Sequence, residues 1–174
     1  MEQKSSLLKS SLVPGVYLGI ALILVSVIFY VTGNPFSKTA SWISYAIMIA
    51  GVVFAQIGYR KALGGSMTYG QALGCGVMVM VFASVISAIY SFLLYKVIDP
   101  SLQEQLRLFT EEQIISQGKV PEEQLDMAVN MATKFQTPGM MLVMGIFGGA
   151  FMGLIISLIS SIFTQKKPLE DFSE

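Results

Sequence analysis

Arg60 and Lys61 precede a glycine-rich run, Gly64, Gly65, Gly70, Gly74 and Gly76, with Ser66, Thr68 and Cys75 among them. Cations beside glycines suit a phosphate loop, because backbone N–H groups can approach an anion that a nearby cation neutralises. A nucleotide loop of that kind ends in Gly-Lys-Ser/Thr and follows a strand. Here the cations come first and the flanks are apolar, so what survives is a lipid phosphate held by Arg60, Lys61 and Thr68 near a helix start. Soft-metal binding is the second chemistry on offer. Met127 and Met131, and likewise Met140 and Met144, stand four residues apart. Each pair shares a helix face, and thioethers select Cu(I). Methionine also fills irregular gaps between helices without binding anything. The chain has no histidine and one cysteine, Cys75, so serine and cysteine nucleophiles lack a histidine base and the commonest metal ligand is missing. The carboxylate pairs Glu111–Glu112 and Glu122–Glu123 are sequence neighbours, which point apart on a helix, so neither forms an acid–base couple. No enzymatic activity, cofactor or nucleic-acid partner is expected.

The elements that must position these residues are membrane helices. Only 13% of the 174 residues are charged and 53% are hydrophobic, with a mean hydropathy of +0.65. Soluble domains carry roughly a quarter charged residues. Four stretches, at about 12–32, 42–59, 72–95 and 139–164, contain no Asp, Glu, Lys or Arg. A helix needs about 20 apolar residues to cross a hydrocarbon core of roughly 30 Å. The expected fold is therefore all-α: one membrane domain over 1–174, a four-helix bundle with a polar helical segment, 96–138, between spans three and four. The first apolar run is too long for a cleavable signal and lacks a small-x-small cleavage pattern, so it reads as an anchored helix. It starts near Ser11 with Pro14 in its first turn and stops at Gly33-Asn34-Pro35.

An even number of spans puts both termini on one side of the membrane. That side carries 33 residues with six Lys or Arg, against 52 residues with five on the other. The denser basic side is expected to be cytoplasmic, with Arg60-Lys61 and Lys166-Lys167 abutting their spans. In the outer segment, Asp99-Pro100 predicts a helix start, and Pro121-Glu122-Glu123 a second one. Leu125, Ala128, Val129, Ala132 and Phe135 follow helical spacing there. The segment reads as an outward-facing helical hairpin, or as extensions of spans three and four, that packs on the bundle, lies on the membrane or docks a partner.

Lipid tails are as apolar as leucine, so membrane helices associate through close packing of small residues and a few polar contacts. Every span has a stripe of that kind: Gly15 and Gly19; Gly51, Ala55 and Gly58; Gly70 and Gly74; and Gly145, Gly149 and Gly153. The tandem spacing on span four suits packing within the bundle or self-association into a homo-oligomer. No ionisable residue lies inside a span, which argues against an ion-coupled transporter. Gln56, the most polar interior residue, is accounted for by an interhelical hydrogen bond.

Four segments give the chain a family resemblance. They are Met67-Thr68-Tyr69-Gly70-Gln71-Ala72 before span three and Ile98-Asp99-Pro100 after it, then Phe135-Gln136-Thr137-Pro138-Gly139-Met140-Met141 and Gly153-Leu154-Ile155-Ile156-Ser157-Leu158-Ile159 around span four. In these the sequence resembles the bacterial membrane family called domain of unknown function 4199. The resemblance runs over nearly the whole chain. It implies a four-helix protein of the bacterial inner membrane, chiefly in Bacteroidetes, and brings no activity, cofactor or catalytic residue. The expected role is non-enzymatic: binding of lipid, of a membrane-protein partner or of a second copy. The alternative is a small oligomeric channel or transporter, handling Cu(I) through Met127, Met131, Met140 and Met144.

Overall fold

The structure is a computed structural model that describes residues 2–118 and 120–166, with backbone alone at 2–6 and 122. Its helices are α1 (Glu2–Val31), α2 (Lys38–Ala62), α3 (Tyr69–Leu93), α4 (Leu102–Gln117), α5 (Glu122–Thr133) and α6 (Pro138–Thr164), with a π-helical turn at Leu94–Ile98. No strand occurs among the described residues beyond one isolated antiparallel bridge, Met67 to Lys166. Four segments are long and apolar enough to cross a membrane: Leu7–Val31, Lys38–Ala62, Tyr69–Ile98 and Pro138–Thr164.

The bundle is organised around α3. A third of its most apolar stretch is buried, against 17% for each other span. Two ridges explain why. Ala72, Gly76, Met80, Ser84 and Ala88 recur every fourth residue and face α6, which runs antiparallel. A Cβ added at Gly145 would sit 3.4 Å from Ala88 Cβ, one at Gly149 would overlap Ser84, and one at Gly153 would overlap Met80. Cys75, Val79 and Ala83 form the second ridge, against α1. There a Cβ on Gly15 would lie 2.9 Å from Val79 O and 2.6 Å from Phe82 Cβ, and one on Gly19 would lie 3.3 Å from Ala83 O. Small residues thus let two backbones reach α3 where a side chain would hold them off. The span-four stripe, open in the sequence to self-association, is occupied within the chain. Gly51 meets Leu18 across the α1–α2 contact at 2.7 Å from its added Cβ.

Two expected packing glycines are not at contacts. Gly58 and Gly70 have no heavy atom within 4 Å of an added Cβ, and Gly74 meets only Leu7, at 3.5 Å. The register of α3 is set by Gly76 and Ala72 instead, which rotates Gly70 off the seam. Ala55 is buried, 5% exposed.

The helix ends follow local chemistry, with two departures. Helix α1 is continuous from Glu2, so Pro14 lies inside it and not in its first turn. The proline removes the N–H that would bond the Ser10 carbonyl, which membrane helices tolerate when neighbours re-satisfy the backbone. Helix α4 begins at Leu102 with Ser101 as its N-cap residue, not Asp99. The π-helical turn takes the Asp99 N–H, 2.8 Å from Leu94 O, and the Asp99 carboxylate instead accepts from the Ser101 N–H and hydroxyl. Between α2 and α3, Gly64 and Gly65 adopt positive φ of +78° and +94°. That left-handed pair is where glycine is required. Thr68 and Gln71 then form a complete capping box for α3, each side chain bonding the backbone N–H of the other residue.

Helices α4 and α5 pack on each other outside the spans; Val129 on α5 is buried, and Leu102, at the start of α4, is buried near the end of α1, in a pocket with Tyr30 and Val31. Leu125, Ala128 and Ala132 are half-buried, while Phe135 is exposed. The pair is fastened to the bundle by Phe36 stacked on Phe109 at 5.4 Å and by Tyr30 OH donating to Asp99 Oδ2 at 3.1 Å.

Candidate functional site

The polar groups of the bundle gather at the end where α2 and α6 finish and α3 begins. Gln56 is fully buried there. Its Nε2 donates to Ala72 O at 3.0 Å and to Ser161 Oγ at 3.2 Å, and its Oε1 accepts from Thr164 Oγ1 at 3.0 Å. One amide therefore joins α2, α3 and α6. Arg60 Nη1 donates to Thr164 O at 3.0 Å, placing a cation on the negative end of the α6 dipole. Tyr69 OH donates to Leu158 O at 3.1 Å. The Met67–Lys166 backbone bridge, 2.8 and 2.9 Å, ties the α2–α3 turn to the segment after α6. Cys75 lies buried beside this network, accepting from Ser11 Oγ at 3.7 Å and donating to Ala55 O at 3.9 Å.

The arrangement is a clamp, closed to ligands. A Cβ on Gly76 would overlap Ser157 Oγ and come within 2.9 Å of Gln56 Nε2 and Val52 Cγ1, so at the level of Gly76 no space for a molecule separates α3 from α2 and α6. The hydroxyls of Ser157 and Ser160 are buried without a hydrogen-bond partner among the described residues. The thiol and the hydroxyls have no base or charged partner within this cluster. Chemically the cluster can hold three helix ends in register, and it offers no group poised for bond making.

Open space lies elsewhere. Between α1 and α2 runs a groove of about 750 Å³, whose floor includes Leu18, Gly51, Ala55, Gly58 and Tyr59 and whose lips include Val13, Tyr17 and Phe54. The floor residues Leu18, Ala55 and Tyr59 are at most 5% exposed, whereas Phe54 is 73% exposed and Tyr17 70%. Among the described residues Ser10 is its one aliphatic hydroxyl. A smaller cavity of about 330 Å³ sits between α3 and α6, lined among others by Ser84, Ser87, Ser91, Met48, Met80 and Met141. Ser87 Oγ is buried there without a partner among the described residues.

A family profile described as protein of unknown function (DUF4199) matches residues 14–166 of the chain. The chain belongs to this family. No curated protein and no solved structure is significantly similar to it. The matched region takes in the Gln56 clamp, the cavity and the α4–α5 pair, and all of the groove except Ser10 and Val13.

Family membership leaves the site residues to geometry, and geometry separates most of those that the sequence suggested together. Arg60 turns onto α6, Lys61 stays exposed and Thr68 caps α3, so the three do not converge as a phosphate cradle. Arg60 and Thr68 already answer to different helix ends. Met127 and Met131 lie on α5 and Met140 and Met144 on α6, all at least 41% exposed. The methionines that share an enclosure are Met48, Met80 and Met141, from three different helices. No spacing in the sequence signals such a grouping, since it depends on helix register. Lys166 is exposed; Lys167 lies outside the described residues.

Proposed function

We propose that this membrane protein is non-enzymatic and acts by binding, that lipid is what it binds, and that the α1–α2 groove is the working surface. The observation that carries the reading is the groove itself: an apolar floor buried by protein, with lips exposed to the surroundings of the spans. The Gln56, Arg60 and Thr164 side chains inside the bundle are engaged in holding helix ends. Ligand pockets are concave and mostly apolar, of roughly 300–1,000 Å³, and this groove has that size and character. The membrane is the bacterial inner membrane and both termini are cytoplasmic, a reading supported by the denser Lys and Arg on the termini side.

Extraction in mild detergent followed by native mass spectrometry tests the binding role. The protein should carry copurified lipid, and stripping that lipid should lower its melting temperature, as loss of any native-state ligand does. A lipid-free protein with an unchanged melting temperature would defeat the reading. Cysteines placed at Ser116 and Ser5 test orientation; an impermeant reagent should reach only the former from outside.

One observation favours a second reading, a small passive path. Ser84, Ser87 and Ser91 line the α3–α6 cavity on one helix face, and Ser87 Oγ lacks a partner among the described residues. Met80, 1% exposed, lines that cavity one helical turn from Gly76, which touches Gln56. If the cavity belongs to a path, Met80→Ala should raise solute leak in proteoliposomes, and unchanged leak would remove the reading.

A further inference from the structure

We propose that the α1–α2 groove seats one acyl chain of an anionic phospholipid, with Lys9 and Lys61 holding its phosphate at the groove's mouth. This rests on the lipid-binding reading and goes further by naming the headgroup class, the leaflet and the residues.

Groove length is the first argument. Its lining runs from Ser10 to Ala21 on α1 and from Ile47 to Ala62 on α2. At 1.5 Å per residue this is about 16–22 Å. One leaflet contributes roughly half of a 30 Å hydrocarbon core. The groove therefore has the depth of one leaflet, the length over which an acyl chain extends. It opens at the start of α1 and the end of α2, so the leaflet is the one on the side of the termini.

Position of the cations is the second. Lys9 precedes the exposed lip residue Val13 by one helical turn, and Lys61 follows the exposed lip residue Phe54 by two turns. Residues four and seven apart share a helix face, so both lysines stand on the outer lips just beyond the groove's open end. Both are exposed. Arg60, by contrast, points across to α6.

Charge sign is the third. At this end the charged side chains that the structure describes are Lys9, Arg60, Lys61 and Lys166, and all are cations. The opposite end carries Asp99, Glu104, Glu111, Glu112, Glu123 and Asp126 with a few cations among them. An apolar slot with two exposed lysines, Lys9 and Lys61, at its mouth complements an acyl chain ending in a phosphate. Each lysine near an anionic surface contributes on the order of 1 kcal/mol, so two correspond to a preference of roughly 30-fold over a zwitterionic headgroup.

Gly58 provides a clean probe. It lines the groove, and a Cβ added there meets no atom within 4 Å, so Gly58→Leu starts its side chain in open space beside the slot. The experiment is native mass spectrometry of the full chain in mild detergent with equimolar phosphatidylglycerol and phosphatidylethanolamine. Wild type should retain one lipid, chiefly phosphatidylglycerol. Lys9→Gln/Lys61→Gln should erase most of the roughly 30-fold preference while still retaining lipid. Gly58→Leu should retain neither lipid and should melt together with delipidated wild type, not below it. Retention of both lipids equally by wild type overturns the headgroup assignment and leaves the lipid-binding reading standing. Retention of neither overturns both. Undiminished retention by Gly58→Leu moves the lipid out of this groove, and a dimer that Gly58→Leu dissociates puts a second copy in it.

Discussion

The α3–α6 seam and the α1–α2 groove are built from the same residue types and end up opposite in kind. Along α6, Gly149 and Gly153 face α3 so closely that a methyl group would overlap Ser84 or Met80. Along α2, Gly58 faces nothing at all. Glycine brings helices together only where a partner backbone occupies the space that the missing side chain leaves; otherwise it hollows the surface. The difference between them is register. On α6 the small residues fall every fourth position opposite a matching ridge on α3, whereas on α2 only Gly51 meets a knob, Leu18, and the turns beyond it open outward.

The largest effect should come from the sealed seam. Gly149→Leu has to displace the Ser84 side chain or push α6 away from α3. Overpacking a tight core costs about 1–3 kcal/mol and sometimes more. The variant should melt well below wild type, or accumulate poorly in the membrane, when followed by size-exclusion chromatography and thermal unfolding in detergent. Gly58→Leu, the same chemical change on the groove side, should melt like delipidated wild type. Equal behaviour of the two variants would break the comparison.

Next in size is Gln56→Leu. It removes the amide that joins Ala72 O, Ser161 and Thr164. Leaving buried partners unmade costs about 1–3 kcal/mol, although interhelical bonds in membranes average nearer 0.6 kcal/mol each, below that range, so three of them sum to about 2 kcal/mol. A loss of about 1–2 kcal/mol is expected in thermal or denaturant unfolding, with lipid retention by the groove kept. Loss of lipid together with stability would mean that groove and clamp are one unit.

Arg60→Gln should be milder and should sharpen the contrast with its neighbour. Arg60 donates to the last carbonyl of α6, and a cation at that position contributes roughly 0.3–1 kcal/mol. Its loss should lower the melting temperature slightly and leave the preference for anionic lipid in place. Lys61→Gln should do the reverse, leaving stability alone and weakening the preference. Adjacent basic residues would then be separated by function.

Much of this was legible in the chain before any geometry. The charge-free stretches, the capping box at Thr68 and Gln71, the turn at Gly64-Gly65 and the interhelical role of Gln56 all follow from local chemistry. What the sequence could not deliver is which face of each helix meets which neighbour. Gly70 and Gly74 have the spacing of a contact, yet α3 packs through Ala72, Gly76, Met80 and Ser84, one face over. Those residues hold no conspicuous motif, because alanine, methionine and serine pack as well as glycine when the opposing residue is small. Helix α1 also runs through Pro14, since a proline mid-helix costs less where the rest of the bundle holds the helix straight. The groove follows from the relative placement of α1 and α2, and no window of sequence encodes that.

What fixes that placement gives the smallest expected effect. Helix α1 is fastened to α3 by Ser11 to Cys75, and to the turn beyond α3 by Tyr30 to Asp99, and so it stands at a set distance from α2. The outer fastening is sensitive to pH. Hydrogen bonds from Ser101 hold the Asp99 carboxyl below its usual range, and the bond from Tyr30 adds to this, while burial opposes it. A carboxyl with a lowered folded pKa stabilises the fold above its unfolded pKa, and the contribution is lost as pH falls through the folded value. Stability should therefore fall as pH is taken below the ordinary carboxylate range, and Asp99→Asn should remove this component of the fall. Asp99 is solvent-accessible, so the step is small. Tyr30→Phe should shrink the same step without abolishing it, because the Ser101 bonds remain. If loosening α1 in this way also changes lipid retention, the groove owes its width to the seam on α3. If retention is unaffected, the α1–α2 contact at Gly51 and Leu18 sets it alone.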